Sequence, residues 1–170
     1  MATAAAAPRK PKLSLAPNAF DRFLAFAALL LLALVLAALW RGRDKWGEVP
    51  GFVWPHVATI LAALALTPVM MLRRRGDRLH RRLGWIWCSA MALTAASSFG
   101  IRGINDGGLS FIHILSAWTL VGVPVIIWTA RTHRVAQHRI WVRSMTAGAL
   151  IIAGIFTLPP GRMLGDWLGG

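Results

Sequence analysis

Five stretches without a single Asp, Glu, Lys or Arg dominate this chain, at 23–40, 49–72, 83–101, 107–130 and 144–161. They are 18, 24, 19, 24 and 18 residues long. A helix needs about 20 apolar residues to cross the hydrocarbon core of a bilayer, with a range of roughly 17–25. Inside lipid only helices and closed barrels satisfy the backbone, and barrel strands alternate polar with apolar residues. The apolar run from Leu24 to Leu39 does not alternate. The pattern predicts an all-α integral membrane protein with five transmembrane helices, at about 20–40, 52–72, 82–101, 109–130 and 138–158.

Composition removes the other classes. Of 170 residues, 56% are hydrophobic and 15% charged, against about 25% charged in soluble domains. A soluble enzyme, a disordered chain and a disulfide-built secreted module are all excluded. With Cys88 as the single cysteine, neither an intrachain disulfide nor a cysteine metal cluster can form. The net charge of +13 is not matched by any base-reading module, so it argues for a membrane surface rather than nucleic acid.

The basic residues also orient the chain, because they concentrate on the cytoplasmic side of membrane proteins. Fourteen Lys and Arg fall in the N-terminal tail, the loop between helices 2 and 3, and the loop between helices 4 and 5; five fall on the other side. The N-terminus is therefore expected in the cytoplasm and the C-terminus outside. Trp40, Trp46, Trp54 and Trp167 fall at the outer ends, and Trp85, Trp87, Trp128 and Trp141 at the inner ends, as interfacial belts do.

The chain divides into a basic tail over 1–17, an uncleaved anchor helix over 18–41 and a membrane domain over 50–170. Helix 1 is Leu and Ala all round and reads as a peripheral, lipid-facing anchor. Helices 2–5 carry small and polar residues such as Thr59, Ala63, Ser97, Ser116, Gly122 and Gly148, which allow close approach of membrane helices. They are expected to form a four-helix bundle, with Pro68 and Pro124 inside helices 2 and 4.

Ionisable residues within membrane helices are rare and usually functional, which directs attention to the histidines. His56 and His113 each lie near the outer start of helices 2 and 4, at about the same depth. His80 and His138 lie at the cytoplasmic starts of helices 3 and 5, with Asp77 placed to cap the former. Two imidazoles at one depth on facing helices can take both axial positions of a haem iron, and bundle interiors hold such cofactors. Propionates, or lipid phosphates, would be met by Arg81, Arg82, Arg139 and Arg143. Plainer roles stand beside these. His80 and His138 sit among arginines where lipid phosphates lie, and His56 and His113 can hydrogen-bond across helices. His133 reads as a loop residue, Cys88 as packing, and the segment from Arg102 to Gly108 as a turn in which Asp106 is a weak metal candidate. No phosphate-binding loop, dinucleotide fingerprint or hydrolase motif is present.

Further motifs carry a resemblance. They are Pro55-His56, Leu79-His80-Arg81-Arg82-Leu83-Gly84, Ser97-Ser98-Phe99, Phe111-Ile112-His113, His138-Arg139 and the closing Phe156-Thr157-Leu158-Pro159-Pro160-Gly161-Arg162. Together, over about residues 50–170, they resemble the bacterial membrane proteins known as domain of unknown function 2306. That resemblance implies a helical fold in a bacterial inner membrane, and no activity. The placing of the histidines is also similar in architecture to dihaem transmembrane cytochromes b, which hold one bis-histidine haem between helices 2 and 4 and one between 3 and 5. What this implies is one or two b-type haems, a quinol or other electron donor, and transmembrane electron transfer in a membrane oxidoreductase component. The alternative is a haem-free interaction or assembly protein with a lipid-binding basic face.

Overall fold

The computed structural model describes residues 16–101 and 110–170. Residues 1–15 and 102–109, among them Arg102 and Asp106, lie outside the described residues. Among those described, every regular element is helical. Helix α1 (Ala19–Arg41) leads through a 3-10 turn (Arg43–Glu48) to α2 (Val53–Leu72), α3 (Arg78–Ser98) and α4 (Phe111–Arg131). Then α5 (Val135–Met145), a π-helical segment (Thr146–Ile152) and α6 (Ala153–Ile155) follow without a gap and make one rod. A short α7 (Met163–Gly169) closes the chain.

Local chemistry sets the boundaries. Asn18 accepts the Asp21 amide at 3.0 Å while the Asp21 carboxylate accepts the Asn18 amide at 2.9 Å, a reciprocal cap that starts α1. Asp77 caps α3 by accepting the His80 amide at 2.6 Å, as the sequence suggested. Ser110 and His113 form a similar box at the start of α4. Gly161 has a φ of +80°, and its amide donates to the Asp166 carboxylate at 2.7 Å. The closing Pro-Pro-Gly-Arg stretch is thus the turn that aims α7 back at the bundle.

Two expectations need correction. Among the described residues three helices, not five, are long and apolar enough to cross a membrane alone: α1, α2 and α4. Arg78, Arg81 and Arg82 occupy the start of α3, leaving 16 uncharged helical residues from Leu83 to Ser98. At 1.5 Å per residue that is about 24 Å, short of a hydrocarbon core of about 30 Å. Arg139 and Arg143 shorten the apolar part of the last rod further, to the stretch after Arg143.

The second correction concerns α1, which does not face lipid all round but buries one side against the other helices. It packs against α2, the π-helical segment and α7, while α2 meets α3, α3 meets α4, and α4 meets α5. α2 also meets the π-helical segment, and α2, α3, α4 and the last rod together line one cavity, so these four form the expected bundle and α1 packs along its outside. Leu24, Ala25, Ala28, Leu31, Val35 and Ala38 of α1 are buried, and the Gly154 backbone comes against Leu31. A Leu/Ala surface supplies knobs for such packing as readily as it faces lipid, so apolarity alone did not fix its place. The outward faces carry Phe23, Phe26, Leu93, Ile114, Val121 and Ile140, all exposed, a surface suited to a lipid environment. Of the tryptophans assigned to the belts, Trp87 is only 4% exposed and Trp167 only 7%. Trp87 donates its indole N–H to the Thr67 hydroxyl at 2.9 Å, and Trp167 lies over Gly42 at the end of α1.

Candidate functional site

The outer histidines sit in a hydroxyl-rich layer. His56, in the first turn of α2, directs Nδ1 at α3, 3.1 Å from the Thr94 carbonyl and 3.1 Å from Ser97 Oγ. A carbonyl oxygen only accepts, so Nδ1 carries the proton and Nε2 keeps its lone pair. Thr94 donates to Thr59 at 2.8 Å, and Ser98 shares a short hydrogen bond with Ser116. The polar stripe of α2 therefore turns inward, towards α3. His56, Ile60, Thr94, Ser98, Ser116 and Thr119 are among the residues that line a cavity of about 100 Å³.

His113 is 3% exposed and packs on Phe99 with ring centroids 5.6 Å apart. It is not among the residues lining that cavity. Its Nδ1 accepts the Ser110 amide at 2.9 Å, so Nε2 carries the proton, and this buried nitrogen has no hydrogen-bond partner. The Ser110 hydroxyl and carbonyl lie 3.2 and 3.3 Å from the same Nδ1. A change of tautomer, which would bare Nε2, thus has acceptors at hand without moving the ring.

The inner histidines mirror this. His138 donates from Nδ1 to the Ile126 carbonyl of α4 at 3.1 Å, so its Nε2 also keeps a lone pair. His80 has a buried Nδ1 with no hydrogen-bond partner. The two rings lie within electrostatic reach of each other, and the Arg75 guanidinium within reach of both.

The arginines are arranged differently from the expectation. Arg139 and Arg143 bind the Asp21 carboxylate, at 3.0 and 2.9 Å, and Arg75 joins them at 2.6 Å. Asp21 is fully buried at 0% exposure. Arg139 and Arg143 are thus engaged with a buried carboxylate of the chain itself. Arg81 donates to the Gly76 carbonyl at 3.1 Å, and Arg82 is exposed. Sequence reasoning missed Asp21 and Arg75. The signal available was the Asn18–Asp21 spacing of a capping box, which fixes a carboxylate in the first turn of α1.

The residues meet the donor requirement of a bis-imidazole iron in part. His56 and His138 have the ligand tautomer, fixed from neighbouring helices in the way that partners of metal-bound histidines fix it. His80 and His113 each hold a buried nitrogen without a partner. The free space is small: about 100 Å³ against roughly 300–1,000 Å³ for small-molecule sites, so a macrocycle enters only as the helices part. Among the described residues no group of three or more His, Cys, Asp or Glu forms a metal site. Comparison with family models, curated proteins and solved structures returns no match.

Proposed function

We propose that this chain is a multi-pass protein of a bacterial inner membrane that holds b-type haem between paired imidazoles and carries electrons across the bilayer. The observation that carries the reading is the pair of Nδ1–H donations from His56 to Thr94 and from His138 to Ile126. Each donation selects the tautomer whose Nε2 has a lone pair to offer an iron, at one histidine towards each end of the bundle. His56 with His113 and His80 with His138 are the residues that would hold the groups. The iron, when bound, supplies one-electron chemistry. The chain orients the imidazoles, excludes water with its apolar rods, and sets the charge near the inner pair through Arg75. A quinol or another cytoplasmic-side donor fits the basic inner face. The same reading takes α3 and the last rod through the bilayer, with Arg78, Arg81 and Arg82 extending the apolar length of α3 by reaching towards the headgroups and the Asp21 carboxylate neutralising Arg139 and Arg143 at the start of the last rod.

A second reading has its own support. The small cavity and the commitment of Arg139 and Arg143 to Asp21 favour a haem-free membrane interaction protein whose exposed arginines bind anionic lipid. A pyridine haemochrome assay on detergent-purified protein from haem-replete cells separates the two. Haem is expected, with His56→Ala and His113→Ala removing one spectral component, His80→Ala and His138→Ala the other, and His133→Ala neither. Haem-free protein from such cells would leave the second reading standing.

A further inference from the structure

The inner histidines come from distant parts of the chain, yet one carboxylate ties their supports together. Asp21 is the contact point of three guanidinium groups. Arg75 belongs to the segment that leads into α3, five residues before His80, and Arg139 follows His138 directly on α5. Arg143 lies one turn further along α5 and also donates to the Asn18 side chain at 2.8 Å. Asp21 itself is fixed by the cap it forms with Asn18. A buried carboxylate with three cationic partners has little freedom to rotate, and neither have the partners.

We infer that Asp21 is the positioning residue of the inner pair: it clamps the start of α3 and the start of α5 to α1, and so sets the separation of the His80 and His138 rings. It also fixes Arg75 within reach of both rings, so the same carboxylate governs the positive charge that they feel. Arg75, rather than Arg81 or Arg82, is then the cation that acts on both rings, with Arg73 acting on His80. The electron-transfer meaning of this clamp rests on the haem reading; the clamp itself does not.

Thiol cross-linking tests the geometry without any cofactor. In a Cys88→Ser background, His80→Cys with His138→Cys reports the inner pair, and His56→Cys with Ser97→Cys reports the outer layer. Each is treated in native membranes with a short bis-maleimide. Asp21→Asn should lower the inner yield several-fold and leave the outer yield unchanged, and Asp21→Glu should restore the inner yield. Equal inner yields with and without Asp21→Asn would overturn the inference. So would loss at both pairs, because Asp21 then holds the whole bundle rather than one end. In the chain with all its histidines, Arg75→Gln keeps Arg139 and Arg143 on Asp21, and should lower the midpoint potential of the inner haem more than that of the outer. Haem-free protein that still shows the cross-linking pattern would end the haem reading and leave the clamp intact.

Discussion

The Asp77 carboxylate accepts the His80 amide, and the Arg73 guanidinium pairs with it. The amide hydrogen bond first, and the arginine second, hold its pKa below the usual carboxylate range. A group with a depressed folded pKa stabilises the fold fully above its unfolded value, near 3.9, and loses that contribution as pH falls through the lower folded value. Asp77→Asn retains a capping side chain but removes the charge. The wild type should therefore melt above Asp77→Asn at pH 7, and the gap should close in strong acid, as followed by circular dichroism in detergent. This cap was legible because an Asp, then a basic run, then an apolar run is an N-terminal signature that needs only local chemistry. Asp21 was not legible as a buried group. At the edge of an apolar stretch a carboxylate reads as a loop residue, and its Arg75, Arg139 and Arg143 partners come from elsewhere in the chain.

At the level of elements, the short α7 is held by close backbone approach. A methyl added at Gly165 would stand 2.0 Å from the Pro159 carbonyl oxygen and 2.4 Å from that of Leu158. Backbone cannot swing aside, whereas Gly122 faces the terminal methyl of Met145 at 2.0 Å, the end of a flexible side chain. Gly165→Ala should cost about 1–3 kcal/mol, as overpacking does, and should expose the segment after Leu158 to protease. Gly122→Ala should cost less and leave that segment protected. The long helices α1, α2 and α4 were readable because absence of charge over a span is a one-dimensional signal. Neither α7 nor the π-helical segment leaves such a signal. One depends on where a glycine lands against distant backbone, and the other on how Met145, Gly148 and Gly154, within and beside that segment, fit against Gly122, Trp118 and Leu31.

For the molecule as a whole, the number of crossings is open to a decisive experiment. Three crossings and five crossings both put the two ends of the chain on opposite sides, so a reporter at Gly170 does not distinguish them. A reporter in the loop at Thr132-His133 does. With five crossings that loop is cytoplasmic; with α1, α2 and α4 alone it is outside. The proposed topology expects a cytoplasmic signal at His133, where Arg134 stacks over Trp128 at 4.3 Å, an aromatic-cation pair suited to the interface.

The Asp21 clamp also has a consequence for the order of synthesis. As the ribosome delivers the chain, this carboxylate emerges early with α1, and Arg75 follows with the connection to α3. Arg139 and Arg143 lie 118 and 122 residues downstream of Asp21 and arrive only near the end of translation. Until then the last rod is missing from the bundle and the carboxylate is only partly neutralised. Nascent chains ending before Val135 should therefore be cleared rapidly by membrane proteases, and chains extended past Met145 should persist, a step that pulse-chase of staged truncations would reveal.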